Sequence, residues 1–490
     1  MLLYDKDLLS VQEVRELVER AKVAQLELAQ KKQEDVDLIV KSIAEAGVRN
    51  AKRLAQLAHD ETGFGVVADK EIKNIFGSKG VYDRIKDMKT IGVLKEDKEA
   101  RTYALAIPMG VIAGLIPSTN PTSTVFYKAE IAIKAGNAIV FSPHPNALNC
   151  ILETVKVIRQ AITEAGGNCD LVGCVSLPTI QATDVLMSHP DTSLILATGG
   201  SAMVRAAYSS GTPAIGVGPG NGPAYIERSA NLEKAVRCIF DSKTFDNGTI
   251  CATEQSVICD LDQKEAIQAE MKRQGAYFLN PEEKEKLGNF ILRSNGTMNP
   301  MIVGKSAQDI ATLSGISIPE STRVIVAEED GVGRGHPYSN EKLTPILAFY
   351  AEKDYKAVCD RCCEILYYEG AGHTFIIHSE NQEIIDYFAK RVPVSRFIIN
   401  SPGAMGGIGA STGLMPSLTL GCGAVGGSAT SENVGPEQLY NLRHIAYGTK
   451  NMEKIRKEAS QPSENLSCVQ LQANQVNEIV REIIRQLEAV

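Results

Sequence analysis

The sequence predicts an α/β protein made of two doubly wound parallel-sheet domains with an added oligomerisation hairpin or arm. Three observations carry that prediction. At 490 residues the chain is too long for one core, so two or three domains are expected. From Gly110 onward, short apolar runs alternate with helical stretches. Polar or glycine-rich loops fall at the ends of those runs, as in strand–helix units of a parallel sheet.

The amino-terminal segment from Ser10 to about Ala58 has helical spacing, with Val14, Leu17, Val18 and Ala21 recurring on one face. Glu61-Thr62-Gly63-Phe64-Gly65 breaks it, and a second helical stretch runs through Ile75. Ile91-Gly92-Val93 and Thr102 to Ala106 flank a charged turn, which reads as an exposed hairpin over 90–108. Val111–Ile116 is an apolar strand followed by a helix to Ala135. Asn137–Phe141 is the next strand and Ala147–Ala165 the next helix. Leu194–Ala197 then leads into Thr198-Gly199-Gly200-Ser201 and a helix around Met203. Gly211 to Pro223 is rich in glycine and proline and marks a domain junction. The α/β alternation resumes from about Ala224 to Ala424, and Leu442–Gly448 is a short strand. Residues 449–464 are a linker by composition. In the tail, Val476, Ile479, Val480, Ile483, Ile484 and Leu487 share one helical face, which docks either on the protein's own body or on a partner.

Composition narrows the class. An apolar fraction of 44% with 22% charged residues is that of a globular protein, and the net charge of −8 argues against nucleic acid or an anionic membrane as partner. No apolar run reaches the roughly 18–20 residues of a membrane span, and the acidic start (Asp5, Asp7, Glu13, Glu16) is unlike a signal peptide. The cytoplasm is the expected location. Eleven scattered cysteines read as reduced thiols. Cys359, Cys362 and Cys363 lie on an amphipathic helix without the further ligands zinc requires, so no metal is expected.

Three loops carry chemistry. Phe245-Asp246-Asn247-Gly248-Thr249-Ile250-Cys251 places a thiol behind an Asn-Gly turn, where backbone N–H donors are expected to raise its thiolate fraction. Ile116-Pro117-Ser118-Thr119-Asn120-Pro121 follows an apolar strand, the place where α/β proteins set ligands, and Asn120 can donate its amide to an oxyanion. Thr198-Gly199-Gly200-Ser201 opens a helix whose N–H groups favour a phosphate.

These loops, together with Phe141-Ser142-Pro143-His144-Pro145, Gly216 to Asn221 and Pro416 to Gly423, resemble in order and spacing the aldehyde dehydrogenase superfamily. The resemblance is to its coenzyme-A-acylating branch, which includes the aldehyde dehydrogenase half of bifunctional aldehyde/alcohol dehydrogenases and the microcompartment acetaldehyde and propionaldehyde dehydrogenases. It runs from about Lys6 to Gly448. It implies an NAD-binding domain over 1–223, a catalytic domain over 224–424, and a return segment with an oligomerisation strand over 425–448 in a homodimer or homotetramer.

Residue by residue, the resemblance makes Cys251 the nucleophile and Asn120 the oxyanion donor. It implies that Glu341 holds the nicotinamide ribose. Ser118, Thr119, Thr198, Gly199, Gly200 and Gly218 line the cofactor's path, and Ser142 and His144 stand near its adenosine ribose. No Arg or Lys lies beside that strand end to receive a 2′-phosphate, which favours NAD, with NADP as the alternative. His373 is implied as a contact of substrate or coenzyme A, with a structural histidine as the alternative. His336 is weighed in the same way, and Cys422 is placed in the substrate-pocket wall.

One departure bears on the reaction. Hydrolytic members carry a water-activating Glu where this chain has Val217. A general base typically contributes about 10²–10⁴-fold, so a coenzyme A thiolate, not water, is expected to take the acyl group from Cys251. The expected reaction converts a short-chain aldehyde such as acetaldehyde or propionaldehyde to its acyl-CoA, reversibly. The alternatives are a hydrolytic aldehyde or semialdehyde dehydrogenase and an inactive homologue that binds a shell protein. By likeness to tails on microcompartment enzymes, residues 465–490 are expected to be an encapsulation peptide for a bacterial microcompartment shell protein.

Overall fold

The computed structural model describes residues 5–460 together with 480, 481 and 485. Two helices open it, Lys6–Leu28 and Gln33–Thr62. Asp5 caps the first by accepting from the N–H groups of Asp7 and Leu8, two of the donors that a helix start leaves open. Val14, Leu17, Val18 and Ala21 are all buried, as their spacing requires. A third helix, Val67–Ile75, follows the break. Lys70 and Lys73, three residues apart on it, are both buried.

Strands are numbered in chain order. The predicted hairpin is β1 (Gly92–Asp97) and β2 (Thr102–Pro108). The next five are β3 (Val111–Ile116), β4 (Ala138–Pro143), β5 (Val172–Cys174), β6 (Thr192–Thr198) and β7 (Ala214–Val217). They form one parallel sheet in the order β5-β4-β3-β6-β7. Every residue of β3 and β4 is buried, because helices cover both faces of such a sheet. That burial explains why these strands read as unbroken apolar runs and not as alternating ones.

Beyond β7, four residues lead to β8 (Gly222–Ile226), which belongs to the second large sheet. Its other members are β9 (Glu254–Asp260), β10 (Ala276–Phe278), β11 (Val324–Glu328), β12 (Ile346–Glu352), β13 (Gly372–His378) and β14 (Val394–Ile399). The order is β10-β11-β12-β9-β8-β13-β14, and all pairs are parallel. The triplet Cys359, Cys362 and Cys363 lies on the helix Tyr355–Tyr368, with the first two thiols in the core.

The last strand, β15 (Tyr440–Ala446), joins a three-stranded sheet in the order β1-β2-β15. The larger of two units runs to Leu94 and from Leu105 to Arg443, and it contains both large sheets. The smaller unit holds Lys95–Ala104 and the chain from His444. Within it the Arg101 guanidinium lies 5.4 Å from the Tyr447 ring centre. Residues 449–464, read as a linker, contain an exposed helix, Met452–Ser460. An i,i+4 ion pair, Glu453 with Lys457, and the Asn451 side chain accepting from Lys454 N–H favour it locally. Of the tail expected to be an amphipathic helix, only residues 480, 481 and 485 fall within the described residues.

Candidate active site

A cavity of about 240 Å³ opens where the two large sheets face each other across the β7–β8 connection. The five-stranded sheet offers it the carboxyl ends of its strands. The loop after β3 supplies Ser118, Thr119 and Asn120, and the loop after β6 supplies Thr198, Gly199 and Gly200. β3 and β6 are neighbours whose chain connections run to opposite sides, the switch point at which α/β sheets bind ligands. His144 comes from the end of β4, Val217 from the end of β7 and Gly218 just beyond it. The seven-stranded sheet offers its amino edge, with Cys251 ahead of β9 and Glu341 ahead of β12.

The loop that carries Cys251 takes an unusual path. Asp246, Asn247 and Gly248 have φ of 48°, 52° and 74°, three successive left-handed residues of which only the glycine adopts that region freely. Side chains hold the turn. Asp246 accepts from the Val66 N–H at 2.7 Å and from the ammonium groups of Lys70 and Lys73, and its own N–H donates to Asp69 Oδ2 at 2.7 Å. Asn247 Nδ2 donates to the Gly304 carbonyl at 2.9 Å. The Asp69, Lys70 and Lys73 side chains have no signature in the sequence, since Ala68-Asp69-Lys70-Glu71 reads as the solvated side of a helix.

The thiol itself corrects one expectation. Burial pushes Cys251 up to about 12, with the Glu341 carboxylate and Cys422 adding to the rise and the Arg396 guanidinium opposing it. The loop therefore presents a neutral thiol in the protein alone, because enclosure between two sheets outweighs the nearby N–H donors. Glu341 is likewise raised, to about 8, by burial first and the Glu369 carboxylate second. Its Oε1 accepts from the Gly220 N–H at 2.9 Å. Gly220 is itself required, since a Cβ there would stand 1.9 Å from the Cys251 carbonyl oxygen.

Asn120 projects from the start of the helix Pro121–Lys134. Its Nδ2 donates to the Thr249 carbonyl and reaches the Thr119 hydroxyl, both at 3.2 Å. Gly200 caps the helix Ser201–Ser209 without a side-chain acceptor. A Cβ added at Gly200 or Gly218 would meet nothing within 4 Å. The arrangement fits a dinucleotide, whose pyrophosphate takes N–H groups at a helix start and needs close approach to backbone.

Three residues expected at the site are not among those lining the cavity. Ser142 turns its hydroxyl to Thr183 Oγ1 at 2.8 Å, on the helix Ile180–Ser188. Cys422 is buried, its thiol near the Leu420 carbonyl; it lies behind the wall and not in it. His373 is fully buried, held neutral by burial, and its Nδ1 pairs with Thr374 Oγ1 at 2.9 Å. It stands close behind Gly220, with Nε2 unpartnered. His336 pairs instead with Glu329, 2.9 Å away. Arg396, which sequence reasoning missed, is buried on β14 and donates to the carbonyls of Gly372 and Gly421 at 3.2 and 2.6 Å. Its signal was faint, one cation in an apolar strand.

The family model described as "Aldehyde dehydrogenase family" matches residues 5–347. The chain belongs to this family. It is 43% identical over 448 residues to the bifunctional aldehyde-alcohol dehydrogenase of Escherichia coli strain K12, a match covering 90% of this chain and 50% of that protein. The chain thus spans about half the length of the curated relatives it matches first. The structure of an acetylating aldehyde dehydrogenase from Geobacillus thermoglucosidasius is similar, with a TM-score of 0.90 and 49% identity over 92% of this chain and 99% of that one. A propionaldehyde dehydrogenase from Rhodopseudomonas palustris, solved with bound CoA and an acylated cysteine, has a TM-score of 0.79 and 28% identity over 89% of this chain and 97% of that one. Among the described residues no helix is long and apolar enough to cross a membrane.

Proposed function

We propose that this chain is a coenzyme-A-acylating aldehyde dehydrogenase that interconverts a short-chain aldehyde and its acyl-CoA, with NAD as hydride acceptor. The observation that carries the reading is the cavity wall. Cys251 and Asn120 line it together, while the position that bears a water-activating carboxylate in hydrolytic members is the apolar Val217.

Cys251 gives its proton to water and attacks the aldehyde carbon, and the Asn120 amide with the Cys251 backbone N–H takes the developing charge on oxygen. The nicotinamide, when bound, supplies a two-electron hydride acceptor. Cys251 then keeps the acyl group as a thioester. A coenzyme A thiolate adds to that carbonyl, and the Cys251 sulfur departs as the leaving group. Glu341 orients the cofactor's ribose in this reading; the support is that it lines the cavity and that its Oε1 accepts from the Gly220 N–H. NAD is favoured over NADP because the β4 end offers His144 and a Ser142 hydroxyl already engaged by Thr183.

The deciding experiment is NAD reduction with C2 to C6 aldehydes, with and without coenzyme A, using Cys251→Ala as control. Coenzyme-A-dependent turnover with an acyl adduct on Cys251 by mass spectrometry is expected. Equal turnover without coenzyme A, giving free acid, would place the chain with the hydrolytic enzymes, and activity surviving Cys251→Ala would end the thioester mechanism.

We further infer a homodimer or homotetramer. The support is the exposed β1-β2-β15 sheet, an open edge that a second copy can pair. Docking of residues 465–490 on a microcompartment shell protein rests on their apolar stripe; shell co-purification unchanged by deleting them would reject it.

A further inference from the structure

The helix Val67–Ile75 delivers two buried ammonium groups to the seam between the β3 loop and the nucleophile loop. Lys70 Nζ donates to the Thr119 carbonyl at 3.4 Å and to Asp246 Oδ2 at 3.0 Å. Lys73 has three N–H donors and no acceptor, and all three find partners: Asn120 Oδ1, Asp246 Oδ2 and, at 3.1 Å, Thr249 Oγ1.

This arrangement removes the ambiguity of an amide side chain. A carboxamide can present either oxygen or nitrogen to a ligand, and the two ends differ little in shape. An ammonium beside one end can donate only to the oxygen there. In this seam the Asn120 oxygen is held by Lys73, so the nitrogen faces Thr249 and the cavity-lining Thr119. We propose that Lys73 is a positioning residue for aldehyde oxidation: by holding the Asn120 oxygen it leaves the amide nitrogen at the cavity, where a reacting oxygen takes the N–H otherwise given to the Thr119 hydroxyl, and it polarises that N–H through the same contact.

The inference rests on the reading of Asn120 as the alkoxide donor. Burial pulls the Lys73 ammonium down to about 8 while Asp246 opposes that fall, so the charge is present at neutral pH. Asp246 has a second role in this seam, because it ties the same lysine to the left-handed turn that carries Cys251.

A double-mutant cycle tests the proposal, read as the single-turnover burst of NADH from acetaldehyde without coenzyme A. Asn120→Ala is expected to slow the burst about 10²–10³-fold, the usual range for one oxyanion donor. Lys73→Met is expected to slow it at least about 10-fold, equally at limiting and saturating aldehyde, as for an interaction made only in the transition state. The double variant should be no slower than Asn120→Ala alone. Alkylation of Cys251 by iodoacetamide should remain near the parent rate in Lys73→Met, showing an intact nucleophile loop. Lys73→Gln, neutral but with a donating amide, should recover part of the burst, and it enters the same cycle if the Met variant does not fold. Effects that multiply in the double variant, or a Lys73 variant whose loss appears only at limiting aldehyde, would overturn the positioning role. An undiminished burst in Asn120→Ala would instead refute the alkoxide-donor reading, a separate signature.

Discussion

The raised Cys251 thiol makes a quantitative prediction about its reactivity in the protein alone. At pH 7 a thiol held at about 12 is ionised to about one part in 10⁵, against about one part in 10² for a thiol at the ordinary value of 9. That is a deficit of about 10³. Thiolate nucleophilicity climbs with basicity along a slope of about 0.4–0.5, which returns about 15–30-fold over three pH units. Cys251 should therefore react with iodoacetamide about 50-fold more slowly than an unperturbed thiol at pH 7. Because the acid form is favoured until the pH approaches 12, the rate should climb about tenfold per pH unit from 7 to 10 with no levelling. Peptide-resolved mass spectrometry is the right assay, since Cys169, Cys238 and Cys363 are also partly exposed. A plateau or midpoint for the Cys251 peptide between pH 7 and 9 would refute the argument that enclosure dominates this thiol.

Two substitutions probe the cavity wall and the turn behind it. Gly220→Ala would set a methyl 1.9 Å from the Cys251 carbonyl oxygen, so the loop must shift. A cost of about 1–3 kcal/mol in stability and at least about 10²-fold in turnover is expected from thermal unfolding and NADH assays, and a variant with parental activity would show that the loop is not held where it is described. Val217→Glu puts a carboxylate at the wall position of hydrolytic relatives. It should raise coenzyme-A-independent formation of free acid by at least about 10-fold, within the reach of a general base; acid production unchanged in product analysis would mean that something other than the missing base protects the thioester.

The elements that position the chemistry were largely legible. β3, β4 and β6 announce themselves as apolar runs, and the polar segments after β3 and β6 sit at their ends because a parallel sheet gathers loops there. The meeting of Cys251 and Asn120 at one cavity followed from resemblance, since no local pattern encodes which distant positions share a wall. The Lys70–Lys73–Asp246 group stayed hidden for the same reason. Its partners are separated by 173 and 176 residues, and a lysine in a short helix is ordinarily a solvent residue. The misplacement of Ser142 has a smaller cause. Strand residues alternate direction, and one position decides whether a hydroxyl faces the cavity or, as here, the Thr183 hydroxyl. The thiol expectation failed because an Asn-Gly turn indicates exposure locally, while Cys251 stands in the wall of a cavity, only partly exposed, where burial raises its thiol.

Asn120 and Cys251 hang from separate sheets, with no ladder of backbone hydrogen bonds running from one to the other. Ile250 and Ala252, on either side of Cys251, belong to the same apolar cluster as β3, β4 and β6, so side chains packed across that boundary maintain the spacing. A slip of about 1 Å there is enough to silence the chemistry while both sheets stay whole.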